Sequence, residues 1–382
     1  MEQDWITLTD PDISTHELAA VTNVLKSSRV SAGPLAERFE DAFAERLGRR
    51  YGIAVSSGTI ALMVSLRALG IGPGDEVIAS AYSWHQIAHA IVLVGATPIF
   101  ADLDYWSGTM AVDKAAARIT PNTRAIVAGN TNGHPAAWGP FRALATEHGI
   151  KLIEDSTEAI GSRYQGQLVG SFGDLAIFDF SQPSALVCGE GAMIATDDHD
   201  LASELRYHRS RGLDERFSIA IASRVPYQAQ ISDMSAALGL AQLDRLDEIL
   251  ARRKRVEGYY SEHIQSFEGI KPPYIAPEVD EVHWMVYVVH LGTRFTRSAR
   301  NQIVDDLATA EVEVPAYCNP LHLQYFYGTL GYKKGDLFVT EKIADRSLAL
   351  PFHAHLDDDT IQFIVATTKD SSINVGAGAA IY

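Results

Sequence analysis

The sequence predicts an α/β protein, with a mainly parallel central sheet flanked by helices and a smaller α+β domain at the C-terminal end. From about residue 50, short apolar runs rich in β-branched residues alternate with stretches of helical apolar spacing, as is typical of parallel strands joined by crossover helices. A chain of 382 residues also exceeds the size at which one hydrophobic core is usual, which favours two domains.

Each element of the predicted sheet is a short apolar run bounded by turn residues. The predicted strands are residues 52–55, 76–79, 97–101, 125–128, 151–153, 175–178 and 192–196. The segments between them with helical length and apolar spacing are 60–69, 84–94, 137–148 and 201–209.

Beyond the sheet, residues 231–260 carry leucines at helical spacing and are predicted to link the two domains. We expect a large domain at 1–245, with the sheet and a ligand cleft, and a smaller domain at 246–382. The elements predicted in the smaller domain are a strand at 286–291 and helices at 301–309 and 360–367. The Gly- and Ala-rich residues 371–382 are expected to form a loosely ordered tail.

Composition narrows the classes of partner. The formal net charge of -16 argues against nucleic acid and anionic membranes, because both reward clustered Lys and Arg. Residues 1–30 have no basic start followed by an apolar run, so no secretory signal is expected. The two cysteines, Cys188 and Cys318, provide no disulfide framework and fit a reducing cytoplasm. We therefore expect a cytoplasmic protein with a small-molecule or protein partner.

The segment Val-Ser-Ser-Gly-Thr at 55–59 carries a strand end through a small-residue turn into a predicted helix. This geometry presents unpaired backbone N–H groups and a positive helix end to an anion, typically a phosphate. An ordinary turn with a Ser or Thr helix cap fits the same residues.

A second segment, at 151–155, is an apolar strand that ends in Glu154 and Asp155. Ligands of open α/β sheets bind at the carboxyl edge of the strands. A carboxylate there can pair with a protonated ring nitrogen, and it can equally well cap a helix.

In their order and spacing, these segments resemble the DegT/DnrJ/StrS sugar aminotransferases, which are pyridoxal phosphate (PLP) enzymes of fold type I. The resemblance spans nearly the whole chain. The matching segments are RVSAGP at 29–34, VSSGTIAL at 55–62, GIGPGDEVI at 70–78, GATP at 95–98, GHP at 133–135, IED at 153–155, GSFGD at 170–174, GEG at 189–191, AALGLAQL at 236–243 and PLHLQ at 320–324.

The resemblance implies a role for several residues. Gly58 and Thr59 fall where the cofactor phosphate meets a helix N-terminus, and Trp84 falls where an aromatic ring stacks on the pyridine. Asp155 falls where a carboxylate pairs with the pyridine nitrogen. His322 lies in the segment near the substrate, although a structural role suits a lone His in an apolar loop equally well.

The chain departs from the family at the residue that holds PLP. Family members carry a lysine five residues before the Gly-Glu-Gly segment, and the same count back from Gly189 gives Ser184. A hydroxyl cannot form an imine and is a poor proton shuttle without an activating base. No lysine occurs between Lys151 and Lys254. We therefore expect covalent PLP to be absent.

Three neighbouring departures cast doubt on tight PLP binding as well. Asp179 stands where the family has a phosphate-binding Ser, and two unit charges about 4 Å apart repel by about 4 kcal/mol at an effective dielectric of about 20. Glu158 replaces a Gln near the cofactor's phenolate oxygen, and Gln228 replaces an Asn that reaches the phosphate from the neighbouring subunit. PLP or its pyridoxamine form (PMP) is thus implied by the resemblance alone.

These observations lead to three hypotheses on a scaffold expected to be a homodimer with its clefts at the interface. The first is a PLP-independent acid/base enzyme of antibiotic or sugar biosynthesis that acts on a sugar-, cyclitol- or natural-product-like molecule. The second is a noncovalent PLP/PMP-dependent dehydratase or aminotransferase. The third is a non-catalytic subunit of an active paralogue. The candidate catalytic residues are Ser184, Glu158, Asp155, His85 and Asp179; the candidate cofactor contacts are Gly58, Thr59, Trp84, Asp155 and Gln228; the candidate substrate contacts are His322 and Trp84; no metal site is predicted.

Overall fold

The structure is a computed structural model that describes residues 5–210, 225–264 and 269–379. Its strands are β1 Tyr51–Val55, β2 Glu76–Ser80, β3 Thr97–Ala101, β4 Thr123–Gly129, β5 Lys151–Asp155, β6 Arg163–Tyr164, β7 Gln167–Leu168, β8 Leu175–Asp179, β9 Ala192–Thr196, β10 Ile270–Lys271, β11 Val279–Glu281, β12 Tyr287–Leu291 and β13 Ser347–Leu350. Its α-helices are α1 Thr15–Leu25, α2 Pro34–Leu47, α3 Gly58–Ala68, α4 His85–Leu93, α5 Val112–Ala116, α6 Trp138–His148, α7 His199–Arg209, α8 Asp233–Asp244, α9 Leu246–Ile264, α10 Arg297–Thr309, α11 Tyr325–Gly328, α12 Phe338–Ala344 and α13 Asp358–Ala379.

A seven-stranded sheet in the order β1-β9-β8-β5-β4-β2-β3 forms the centre of the molecule. The strands from β8 to β3 run parallel, while β9 runs antiparallel to both of its neighbours. The predicted α/β class and mainly parallel sheet are thus confirmed. Each of the seven predicted strands forms, within two residues of its predicted ends.

Both faces of this sheet are covered, as expected for a parallel sheet. Along β4, Ala125 and Val127 pack into one buried cluster with apolar residues of α3, α4 and α7. Ile126 and Ala128 point to the opposite face and join a second cluster, which continues through α6 into the C-terminal part. The alternation of adjacent residues therefore places helices on both sides, with strand ends free only at the sheet edges.

The C-terminal part contains a three-stranded antiparallel sheet, β10-β12-β13, packed with α9, α10 and α13. Arg253 of α9 is 6% exposed and donates to the carbonyls of Trp284, Met285 and Phe352 at 2.9, 2.7 and 3.1 Å. These bonds hold α9 against the loop before β12 and the loop after β13. No helix within the described ranges combines the length and hydropathy needed to cross a membrane.

One prediction about the later chain needs correction. The segment at 231–260, whose leucines have helical spacing, forms the two helices α8 and α9 with Arg245 at the junction. The loose tail expected at 371–382 is wrong for residues 371–379, which extend α13. Ser372 is 1% exposed, and Gly376 brings the helix close to Arg294 and Phe295. The Gly and Ala residues of this segment, which are also common in flexible tails, permit close packing of the helix. Residues 380–382 lie outside the described part.

Glu154, next to the carboxyl end of β5, is fully buried and anchors the connection that leads to β8. Its carboxylate accepts the N–H groups of Gly170, Phe172 and Gly173, at 2.5, 2.8 and 3.2 Å. It also accepts the Asn130 amide at 3.1 Å. A buried charge is tolerated when donors surround it in this way, so Glu154 holds the strand ends that frame the cleft.

We predict that Glu154→Ala lowers the free energy of unfolding by about 3 kcal/mol, because several buried donors lose their acceptor together. Urea unfolding followed by circular dichroism measures the change. Glu147→Ala, on the exposed end of α6, is the matched control and should change stability by less than about 0.5 kcal/mol. Equal stability of the two variants would contradict the anchoring role.

Candidate active site at the carboxyl edge of the sheet

Two carboxylates meet at the carboxyl edge of the central sheet because neighbouring parallel strands end there. Asp155 is the last residue of β5, and Asp179 is the last residue of β8. The two strands pair with Asp155 opposite Ile177. The predicted neighbours therefore come together at the edge where open α/β sheets bind ligands.

The Asp179 carboxylate caps the N-terminus of α3. Its Oδ2 accepts the backbone N–H of Gly58 at 2.9 Å, and its Oδ1 accepts the N–H and hydroxyl of Ser181 at 2.8 and 2.7 Å. Asp179 is only 4% exposed. A negative group at this position is favoured by the helix dipole and by the unpaired N–H groups of the first turn. The chain thus supplies its own anion to the turn predicted to bind a phosphate.

Close approach at this turn requires glycine at position 58. A Cβ on Gly58 would collide with the Asp179 carboxylate. Ser57 completes the helix start, since its hydroxyl accepts the N–H of Ile60 at 3.4 Å, and the neighbouring Thr59 is partly exposed. The helix-cap interpretation of this turn therefore accounts for the Ser57 contact, and phosphate binding there stays a prediction.

Asp155 lines the same space as Asp179, and its surroundings oppose ionisation. Burial raises the pKa of Asp155 to about 6, and the nearby charges of Asp179 and Glu154 add to the shift. The Thr157 N–H, at 3.1 Å from the Asp155 carboxylate, acts in the opposite direction. The carboxyl of Asp155 is consequently easier to protonate than an ordinary aspartate.

Glu158 is the second carboxyl with an unusual proton affinity. It is 8% exposed, and burial raises its pKa to about 7. Its Oε2 accepts the hydroxyl of Tyr317 and the backbone N–H of Asn132, and these bonds limit the rise. Trp84 also donates to it. Near neutral pH this group can both donate and accept a proton.

Two spaces adjoin these carboxyls. The outer cleft has a volume of about 220 Å³ and is lined by Trp84, His85, Glu158, Tyr317 and Asn319, among others. The inner space, between Gly58, Trp84, Asp155 and Asp179, measures only about 20 Å³. A volume of that size holds about one water molecule.

The other predicted site residues occupy varied positions. His85 begins α4, beside the cleft, with its ring 4.8 Å from that of His89. Ser184 is partly buried in the loop after β8, and its hydroxyl accepts the Leu186 N–H at 3.3 Å. Gln228 is exposed, next to the undescribed residues 211–224. The structure therefore brings His85 to the cleft that Glu158 lines, whereas Gln228 lines neither space described above.

His322 differs from the rest because it is fully buried. Its Nε2 lies 3.1 Å from the Glu341 carboxylate, and His322 is not among the residues that line the cleft. The structural alternative considered for this histidine accounts for these contacts. Its role as a substrate contact stays a prediction.

Sequence reasoning missed two residues that complete the site, Tyr317 and Asn132. Both reach Glu158 from other parts of the chain, and Asn132 has a left-handed backbone, with φ of 51°. Tyr317 lies three residues before Pro320, the start of a matching family segment, and that proximity was the available signal. In the described chain, no three His, Cys, Asp or Glu side chains are grouped to hold a metal ion.

Comparison with known proteins places this chain in a family. Residues 11–369 match the DegT/DnrJ/EryC1/StrS aminotransferase family. The chain is 32% identical over 373 residues to the spore coat polysaccharide biosynthesis protein SpsC of Bacillus subtilis, covering 94% of this chain and 95% of SpsC. It is 34% identical over 365 residues to GDP-perosamine synthase of Caulobacter vibrioides, covering 94% and 96% of the two chains.

Solved structures agree with the sequence relatives. S. venezuelae DesV, in complex with a ketimine intermediate, superposes with a TM-score of 0.89 at 29% identity, over 97% of this chain and 99% of DesV. The PMP form of the putative sugar aminotransferase Spr1654 from Streptococcus pneumoniae gives a TM-score of 0.91 at 26% identity, over 97% and 98% of the two chains. The fold is therefore that of the PLP-dependent aminotransferases, and the chain belongs to the DegT/DnrJ/EryC1/StrS aminotransferase family.

Proposed function

We propose that this member of the family is a biosynthetic enzyme that works by acid/base chemistry without covalent PLP. Its substrate would be a sugar-, cyclitol- or natural-product-like small molecule. The observation that carries the proposal is the Asp179 carboxylate, which is bound to the Gly58 N–H where a cofactor phosphate would need that donor. Two relatives are named for spore coat polysaccharide biosynthesis and for perosamine synthesis, and these names support a sugar-like substrate.

The residues around the cleft do not fit covalently bound PLP. Ser184 offers a hydroxyl where the resemblance requires an amine. The lysines that flank this region in sequence are directed elsewhere. Lys151 is exposed at the start of β5, at the opposite end of the strand from Asp155. Lys254, on α9, forms an ion pair with Glu257 and donates a hydrogen bond to the Val282 carbonyl.

The phosphate and the ring of PLP also meet obstacles. A phosphate at the start of α3 would compete with Asp179 for the Gly58 N–H, and charges about 4 Å apart would repel by about 4 kcal/mol at an effective dielectric of about 20. The inner space of about 20 Å³ holds about one water molecule, so a pyridine ring would enter it only if the surrounding side chains moved. Both obstacles act on PMP as well as on PLP, so they argue against the noncovalent alternative too.

The outer cleft provides the means for acid/base chemistry. Glu158, with a pKa raised to about 7, is the proposed proton donor and acceptor, and Tyr317 holds its carboxyl in place. Asp155, with a pKa raised to about 6, is the proposed second group. Two buried carboxyls whose pKa values are raised toward neutrality are suited to general acid and base roles.

Polar groups around the cleft suit a hydroxylated substrate. Asn319, Gln324 and His85 line it, and Trp84 provides an apolar face of the kind on which sugar rings stack. Ser184 and Asp179 would contribute hydrogen bonds from the inner side. We further propose that the protein is a cytoplasmic homodimer in which Gln228 of one subunit approaches the cleft of the other.

The first prediction is that purified protein incubated with PLP forms no covalent adduct. No band of a PLP–lysine bond should appear in the visible spectrum, and borohydride treatment should add no pyridoxyl mass to the protein. Intact mass spectrometry and peptide mapping measure this directly. A reducible adduct on a single lysine would overturn the proposal.

A second prediction distinguishes the effect of Asp179 on binding of the PLP phosphate from its effect on binding of the PLP ring. Asp179→Ser should bind PLP at least about tenfold more tightly than the natural protein, equivalent to about 1.4 kcal/mol, because the competing carboxylate is gone. Pyridoxal, which lacks the phosphate, should bind both proteins equally. Asp179→Asn keeps the shape and removes the charge, so an intermediate affinity is expected. Calorimetric titration measures all six pairs, and unchanged PLP affinity in both variants would show that Asp179 does not exclude phosphate.

A third prediction follows from the raised pKa of Glu158. Since the folded-state pKa is about 7 and the ordinary value is 4.5, the stability linked to this group is fully present below pH 4.5 and is lost as pH rises through 7. The free energy of unfolding of the natural protein should fall, relative to Glu158→Gln, by about 2 kcal/mol between pH 5 and pH 8. Urea unfolding at both pH values tests this. If the free energies of unfolding of the two proteins change equally with pH, the pKa of Glu158 is not raised in the folded state.

A further inference from the structure

A second pocket, of about 520 Å³, lies between the loop after β3 and the C-terminal sheet. Tyr105 and Trp106 form one wall, Tyr274 forms another, and Lys271, Lys342 and Arg346 lie around it. Its volume is within the range of pockets that hold small organic ligands. None of the roles discussed above uses these residues.

The walls of this pocket are aromatic and open to solvent. The rings of Tyr105 and Trp106 are 5.4 Å apart and meet edge to face, and the ring of Trp106 lies 6.0 Å from that of Tyr274. Trp106 is nevertheless 61% exposed. An aromatic cluster that leaves this much ring surface uncovered is suited to stacking on a flat ligand.

The charges around the pocket are all positive. Lys271, Lys342 and Arg346 have no carboxylate within 4.0 Å in the described part of the chain. Lys342 instead lies over the Phe338 ring at 4.7 Å, and the Nε of Arg346 donates to the Phe295 carbonyl at 3.2 Å. In a chain with 48 acidic and 32 basic residues, three cations without carboxylate partners around one pocket mark a locally positive site.

This pocket is separate from the cleft that contains Glu158. A narrow space of about 30 Å³ continues from the pocket and ends at Tyr317, which also lines the cleft. Such a space admits about two water molecules and no organic ring. Tyr317 therefore stands between the two sites, and a ligand in one does not occupy the other.

We propose that this pocket binds a small organic anion with a flat ring, such as an aromatic carboxylate, sulfonate or phosphate. The ring would stack on Trp106 and Tyr274, and the anionic group would face Lys271, Lys342 and Arg346. Aromatic stacking and charge attraction act on different parts of the ligand, so their contributions can be measured separately. The proposal does not depend on the chemistry at Glu158.

A matched pair of fluorescent probes tests the proposal on the full-length protein. 8-Anilinonaphthalene-1-sulfonate carries the anionic group, and N-phenyl-1-naphthylamine is the same ring system without it. We expect saturable binding of the sulfonate at one site per chain, with affinity that falls as salt concentration rises. The neutral probe should bind more weakly and without salt dependence.

Substitutions then assign the binding to this pocket. The double variant Lys271→Met, Lys342→Met should weaken sulfonate binding at least about tenfold, or about 1.4 kcal/mol, and leave the neutral probe within about twofold. Trp106→Ala should weaken both probes, while Trp106→Phe should retain both. Lys114→Met is the control, because Lys114 is exposed, pairs with Asp113 and does not line the pocket.

Several results would overturn the proposal. Sulfonate binding that is unchanged in the double variant, or reduced equally by Lys114→Met, would place the probe elsewhere. Loss of both probes in a double variant whose circular dichroism is unchanged would show that the two lysines do not act on the ligand's charge. A change in oligomeric state of Trp106→Ala in gel filtration, with probe binding unchanged, would show that a second copy of the chain covers these aromatic rings instead.

Discussion

The account proposed for the cleft depends on the hydrogen bond from the Gly58 N–H to the Asp179 carboxylate. It joins the end of β8 to the start of α3 and neutralises the positive helix end from within the chain. The anion that related sites would take from a ligand is thereby provided by the protein. A phosphate must displace this carboxylate or lie beside it, and both cost free energy.

The pairing of β5 with β8 also explains the raised pKa values of Asp155 and Glu158. Asp155 and Asp179 end adjacent parallel strands, so the fold brings two negative groups to one dry edge. Burial and this repulsion raise the pKa of Asp155, and Asp155 in turn contributes to the raised pKa of Glu158. Within the described residues neither Asp155 nor Glu158 forms an ion pair, so burial is the main cause of their raised pKa values.

Features set by interactions between residues close in the sequence could be predicted, whereas features set by contacts between distant parts of the chain could not. The sheet strands were predictable because β periodicity is local. Asp155 was predictable from the end of its strand, and Glu158 and Asp179 were singled out through the resemblance to the family. Tyr317 and Asn132 were not, since tertiary packing carries them to Glu158 from distant positions. The helix at 371–379 was missed because Gly and Ala favour close packing and flexibility alike, and only the neighbouring Phe295 decides between them.

A crystal structure of the protein grown with excess PLP tests the central claim most directly. If Asp179 supplies the anion at the start of α3, its carboxylate will still accept the Gly58 N–H, and no phosphate density will appear there. A phosphate bound to that N–H, with Asp179 rotated away, or density joining PLP to a lysine would contradict the claim.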